Sequence, residues 1–449
     1  MNTTCPSPLV DSVARAAQPL RGAADDYDRL LELIGDASCV LLGEATHGSH
    51  EFYRERANIT RRLITEKGFV AVAVEADWPD AWRVNRYVRG EGSDAGSEQA
   101  LGGFKRFPTW MWRNTEMIAL IDWLRRHNLA LPPGRHPAGF YGLDLYSMFT
   151  SIDEVLRYLD QVDARAAQRA RHRYACFDHY DADSQHYGYA TGIALSASCE
   201  DAVVTQLQDM LDHAALYVAG DGQQAADAYF HARQNARLVA NAEKYYRTMF
   251  RGRIASWNLR DSHMADTLDA LMTHLGQATG APAKVVVWEH NSHIGDARAT
   301  EVSGRGEWSV GQLARERYGQ RCRLIGLTTH HGSVTAATDW DGVAERKHLR
   351  PALPGSVEAL FHDTGIGRFL LPLTPSSEVA RALSQPRLER AIGVIYRPHT
   401  ERHSHYFYAR LPRQFDAVLH FDATCALRPL ERGVHWEAGE APETFPVGL

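Results

Sequence analysis

The sequence predicts an α/β fold with a central, mostly parallel sheet flanked by helices, an inserted helical bundle and a small α+β subdomain. Three observations carry that expectation. Seven short apolar runs lack polar alternation, as strands covered on both faces require. Helical patterns separate the early runs, which is the alternation of an α/β chain. From about Thr150 to Leu275 the strand signal gives way to long helical patterns.

The apolar runs are "CVLLG" near Cys39, "FVAVAVEA" from Phe69, "GFYGLDL" from Gly139, "KVVVWEH" from Lys284, "CRLIGLTT" from Cys322, "AIGVIYRP" from Ala391 and "AVLHFD" from Ala417. Among the helices, "SHEFYRERANITRRLITEKG" sets Phe52, Ile59 and Leu63 on one face and stops at Gly68, and "TEMIALIDWLRRHN" follows it. The middle of the chain reads as a bundle whose aromatics, Tyr229, Phe230, Tyr245 and Tyr246, recur at core spacing. A Pro- and Gly-punctuated stretch then mixes a short helix at "SVEALFHD" with "GRFLLPL". The expected division is an α/β core from residues 1–149, 276–334 and 385–449, a bundle at 150–275 and the small insertion at 335–384.

At 449 residues, with 44% apolar and 23% charged side chains, the chain is long enough for a large core with insertions. The net charge of −6, from 49 Lys and Arg against 55 Asp and Glu, offers no basic face, so nucleic acid is not expected as a partner. The basic stretches "FKRF" and "RHR" read as solvated helix faces. The six cysteines (Cys5, Cys39, Cys176, Cys199, Cys322 and Cys425) include no C-x-x-C and no close pair, which argues against a disulfide framework or cysteine zinc site and for a reducing, cytoplasmic setting. The first residues lack a charged segment followed by an apolar one, and no apolar run has membrane-spanning length. The expectation is a soluble, cytoplasmic protein with no membrane partner; the oligomeric state is not legible.

Several apolar runs finish in ionisable residues: Glu44; Glu75 and Asp77; Asp144; Glu289, His290 and His293; His330 and His331. Ligands of open α/β sheets bind outside the carboxyl ends of the strands, so one cleft can gather these groups. Buried charges need partners, and such partners tune one another's pKa. His47 stands out, with Glu44 three positions before it, Gly48 directly after it and a strand end beneath. Glu75 has the same strand-end placement. Trp78, Trp82, Trp110 and Trp112 lie near the proposed strand ends and are candidates to wall an apolar cavity, and Asp144, His293, Trp78 and Trp112 are the expected substrate contacts.

The chain has no G-x-S-x-G elbow and no Walker loop, and "SGRGEWSVG" does not follow a strand as a dinucleotide fingerprint would. Two readings of the chemistry remain. In one, a histidine oriented by a carboxylate takes a proton from water that attacks an ester or lactone carbonyl. In the other, the H-x-x-H pairs in "THGSH" and "EHNSH" hold zinc, although neither is H-E-x-x-H. "RPHTERHSHY", with His399, His403 and His405, reads as a polar loop that can also bind metal. With no activated serine or cysteine, no covalent intermediate is expected.

The blocks "LLGEATHGSHEFYRERANITRRLITEKGF", "VAVEAD", "TWMWRNTEMIALIDWLRRHN", "FYGLDLYS", "VVVWEHNSHIGD" and "GQLARERYG" resemble the erythromycin esterase family, in its order, from about Cys39 to Asp422. The resemblance implies a central sheet with a helical insertion and a metal-independent hydrolysis, without cofactor, in which histidine activates water to open a macrolactone. The family also includes proteins called succinoglycan biosynthesis proteins, so a non-catalytic role linked to exopolysaccharide is the alternative from another class. Carried over, the catalytic histidine falls on His47, its glutamate on Glu44, the second acidic residue on Glu75, the arginine on Arg56 with Arg54 close by, and the histidines of the His-Asn-x-His block on His290 and His293. On that reading Arg56 and His290 face the developing oxyanion.

Overall fold

A computed structural model describes residues 7–180, 183–192, 195–218, 222–433 and Trp436. Eleven strands occur among them: β1 (Gln18–Pro19), β2 (Cys39–Leu42), β3 (Ala71–Asp77), β4 (Gly139–Asp144), β5 (Val285–Trp288), β6 (Cys322–Ala336), β7 (Glu345–Leu349), β8 (Arg368–Pro372), β9 (Arg387–Arg390), β10 (Tyr406–Ala409) and β11 (Ala417–Thr424). Nine make one sheet in the order β1-β8-β11-β6-β2-β5-β3-β4, with β7 paired to the far half of β6. The pairings from β11 through β4 are parallel, whereas β8 pairs antiparallel with β11 and with β1, and β7 antiparallel with β6.

The unbroken apolar runs have a direct cause. In β2, Cys39 and Leu41 enter one core layer while Val40 and Leu42 enter the other; β5 does the same with Val285 and Val287 against Val286 and Trp288. Alternate side chains point to opposite faces of a strand, so a sheet sandwiched between two helical layers needs apolar residues at every position.

The helix His50–Lys67 buries Phe52, Ile59 and Leu63 completely and ends on Gly68, whose φ of 71° is the left-handed conformation that favours glycine. The helix Thr115–Leu129 starts at Asn114, whose side chain accepts from the Met117 N–H. Between Met148 and Thr279 the chain is helical in its described residues, ending in the long helices Gln223–Met249 and Arg253–Thr279. Among the described residues, no helix is long and apolar enough to cross a membrane.

The structure departs from the sequence reading in four places. The run from Ala391 is not a strand: it makes isolated bridges only, from Ile392 to Thr46 and from Ile395 to Ala337. Its apolar character comes from packing, since Ile392 and Tyr396 fill a small cluster with Val334, Ala336 and Leu349 on the β6–β7 hairpin. "GRFLLPL" supplies β8 within the main sheet rather than a strand of a separate subdomain. "FKRF" is loop rather than helix, and its Arg106, though exposed, pairs with Asp77. Cys176 and Cys199 form a disulfide, whose 23-residue separation gave no signal in the sequence.

Candidate active site

The carboxyl ends of β2, β3, β4 and β5 converge on a cavity of about 700 Å³. Two glycines make the first approach possible. A Cβ on Gly43 would lie 2.0 Å from Asn291 Oδ1, and one on Gly48 would lie 1.8 Å from the Thr335 carbonyl oxygen. Only a residue without Cβ lets the "GEATHGSH" loop pass so close to its neighbours. Asn291 then ties the strand ends together: its N–H donates to Glu44 O at 2.9 Å, and its side-chain amide donates to Leu327 O on β6, also at 2.9 Å.

Behind the cavity wall stands a relay of three buried groups. His47 Nδ1 lies 2.9 Å from Glu44 Oε1, and Arg56 Nη2 donates to Glu44 Oε2 at 2.6 Å. The carboxylate can only accept, so Nδ1 carries a proton, and in the neutral ring the lone pair therefore lies on Nε2. His47 lines the cavity; Glu44 and Arg56 do not. The Arg56 guanidinium is sandwiched, 4.5 Å from the Tyr53 ring and 4.7 Å from the Trp288 ring. It therefore holds Glu44 and does not reach the position the resemblance assigns it, beside an oxyanion. Arg54 turns away to Glu55.

His290 faces His47, with ring centres 4.9 Å apart. Its Nδ1 accepts from the Ser292 N–H at 3.2 Å and lies 2.8 Å from Ser292 Oγ, which leaves the proton on Nε2. Among the described residues that Nε2 has no hydrogen-bond partner. Burial and the neighbouring His47 push the His290 pKa down to about 3, so the ring stays a neutral donor. Its backbone N–H donates to Glu75 Oε2 at 2.9 Å.

Glu75 and Asp144 share Arg260, whose Nη2 donates at 2.7 Å to Glu75 Oε1 and at 2.6 Å to Asp144 Oδ2. Burial opposes the Glu75 charge, but His293, Arg260 and His47 hold its carboxyl well below the usual range. Asp144 is likewise held low by Arg260 against burial. His293 is fixed on both sides, with Asp261 Oδ1 2.9 Å from Nδ1 and Arg260 Nη1 3.0 Å from Nε2, and it stacks on Trp257 at 4.4 Å. Deeper on the same wall, burial and nearby Asp77 push the Asp80 carboxyl up to about 7.

The profile of the erythromycin esterase family matches residues 64–424, most of the chain. The chain belongs to the erythromycin esterase family. Erythromycin esterase type II of Escherichia coli is 30% identical over 121 residues, a stretch that covers 27% of this chain and 26% of that enzyme, so the match spans about a quarter of the relative's length. Among solved structures, a succinoglycan biosynthesis protein superposes with a TM-score of 0.77 at 21% identity, covering 95% of this chain and 100% of the other. A protein from Bacillus cereus gives 0.75 at 20% identity over 94% and 98%. A histidine-to-asparagine mutant of erythromycin esterase EreC in its open conformation gives 0.67 at 17% identity over 93% and 97%. These likenesses establish the fold shared across the family.

Within this erythromycin esterase fold, His47, Glu75, Asp144, His290, His293 and Trp112 all line the cavity. Trp78 does not: it is 2% exposed, stacks on Trp82 and Tyr141, and donates from Nε1 to His231 in the helical layer. Trp82 and Trp110 also lie off the cavity, whose aromatic wall instead includes Phe107, Tyr245, Trp257 and Trp340. The sequence reading missed Arg260 and Asp261, which sit in the middle of the helix Arg253–Thr279 with no local signal beyond ordinary helical charge. For a metal, the H-x-x-H pairs are poorly suited. His50 pairs with Glu116 at 3.2 Å, and both nitrogens of His293 are engaged. His403 and His405 line another part of the cavity wall.

Proposed function

We propose that the protein hydrolyses a carboxylic ester or lactone by direct attack of water, with His47 as general base. The observation that carries this is the pairing of two imidazoles in opposite states, one with a free lone pair backed by Glu44 and one with an unpartnered N–H.

Water in the cavity beside the two rings gives its proton to His47 Nε2 as its oxygen bonds to the acyl carbon. Glu44, neutralised in turn by Arg56, stabilises the imidazolium. The carbonyl oxygen gains the negative charge and accepts from His290 Nε2–H, a donor kept dry by burial. When the tetrahedral species collapses, the C–O bond to the alcohol breaks and the leaving oxygen takes the proton from His47. The products are a carboxylic acid and an alcohol, or one hydroxy acid from a lactone. Glu75, Asp144 and Arg260 brace the His290 and His293 loop, and no step requires a metal.

The cavity volume and its aromatic wall of Phe107, Trp112, Tyr245, Trp257 and Trp340 suit a bulky, mostly apolar ring such as a macrolactone. The test is mass spectrometry of erythromycin incubated with chelator-treated protein, beside a panel of simple esters. Gain of one water is the expected product. An intact macrolide together with intact esters would overturn the reading and favour a non-catalytic role.

A further inference from the structure

Away from the cavity, the far half of β6 and the end of β11 build a second histidine cluster, formed by His330, His331, His362 and Asp422. Each offers one ligand atom, and those atoms all lie within 4.8 Å of one another. The register of β6 and β11 explains the convergence: Phe421 lies opposite Thr329 and Ala423 opposite His331, so Asp422 stands level with His330 on the adjacent strand. His362 arrives from the last position of the short helix Val357–His362.

The local geometry has the form of a ligand set. His330 Nδ1 and His331 Nδ1 are 2.9 Å apart, so two imidazole lone pairs are directed at one point and a single proton must be shared between them. His362 stacks on His330 with ring centres 4.0 Å apart and planes 4° from parallel, and its Nδ1 lies 2.7 Å from Asp422 Oδ1. A tetrahedral zinc with bonds of about 2.0–2.1 Å spaces its ligand atoms roughly 3.3 Å apart, and the exposed His362 reaches such a position by turning out of its stack on His330.

Two further features support a built site. The His330 carbonyl is held by Arg390 Nη1 at 2.7 Å, which fixes the strand that carries two of the ligands. His420, fully buried, directs an Nε2 with no closer partner among the described residues toward Asp422 Oδ1 at 3.8 Å, the position of an outer group that orients a metal-bound carboxylate. His362 is exposed and His331 and Asp422 are half-buried, so an ion has a path from solvent.

The geometry points to a divalent metal site for zinc, with His330, His331, His362 and Asp422 as its four protein ligands. Three imidazoles and one carboxylate suit zinc among the common divalent ions, and four protein ligands leave no open position, which is the pattern of a structural site rather than a catalytic one. Its effect is to tie the helix Val357–His362 to the ends of β6 and β11.

The test uses untagged full-length protein, stripped with EDTA and titrated with zinc chloride by calorimetry, with melting curves at each step. One zinc per chain is expected, together with a melting temperature that rises with zinc concentration, because a ligand bound only by the folded state stabilises it. The His331→Ala, His362→Ala double variant should bind zinc at least 100-fold more weakly while melting like the parent without metal; both positions reach solvent, so folding is preserved. His47→Ala should bind zinc as tightly as the parent. Weak binding at several sites, stoichiometric binding that survives the double substitution, or binding abolished by His47→Ala would each overturn the assignment.

Discussion

Among the described residues two histidine clusters lie toward the carboxyl ends of the strands of one sheet, and they differ in what each second nitrogen does. In the cavity, Glu44 takes Nδ1 of His47, the Ser292 N–H takes Nδ1 of His290, and Asp261 with Arg260 occupies both nitrogens of His293. Each of these three rings has both its nitrogens placed by its partners, which is the condition for acid–base work. At the end of β6, His330 and His331 present Nδ1 to each other and His362 leans on Asp422. Those nitrogens share a focus, which is the condition for holding an ion. The type of residue does not separate the two sites; the partner behind each ring does.

Breaking the bracing of the first cluster should give the largest effect. Arg260→Met leaves Glu75 and Asp144 buried with no cation between them, and removing one partner of a buried pair costs about 3–5 kcal/mol. Denaturant midpoints read this directly, and a loss under about 1 kcal/mol would show that the carboxylates are solvated in the native protein. Trp78→Ala empties a fully packed position and should cost about 3 kcal/mol or more, yet leave KM nearly unchanged, because Trp78 does not line the cavity. A raised KM with normal stability would return Trp78 to the substrate site.

Glu44→Gln tests the tautomer argument. The amide can donate to His47 Nδ1 and so push the proton onto Nε2, where the base is needed. A drop in kcat of about a hundredfold at constant KM is expected. The smallest effect concerns Asp80. Its pKa of about 7 stands above its ordinary value, so the stabilisation of its protonated form is complete at acid pH and lost as pH rises through 7. Asp80→Asn should therefore melt about one to three degrees above the parent at pH 8 and level with it at pH 4, measured by calorimetry. Equal differences at both values would remove the titration from the account.

Much of this was legible in the chain. Six of the seven apolar runs are strands, because a sheet covered on both faces leaves a pattern that needs no partner information. The placement of His47, His290 and His293 on the cavity was legible because a strand end and ionisable groups coincide within a few positions of "GEATHGSHE" and "EHNSH". What failed depended on contacts between distant segments. Arg260 meets Glu75 across 185 positions, Arg56 is turned inward by Tyr53 and Trp288, and the run from Ala391 is apolar because it packs on the β6–β7 hairpin. The helix Met148–Val162 and those after it carry the periodicity of any bundle, so nothing local marked Tyr245 as a cavity residue and Tyr246 as core.

The central claim is that a neutral His47, held by Glu44, activates water without a metal. The direct measurement is the rate of ester or macrolactone hydrolysis by chelator-treated protein and by His47→Ala, followed by mass spectrometry with the reaction run in oxygen-18 water. The account predicts incorporation of one labelled oxygen into the carboxyl product, undiminished by chelation and reduced by about a hundredfold or more in the variant. Hydrolysis that vanishes with the chelator and returns with zinc, or that persists in His47→Ala, would contradict it.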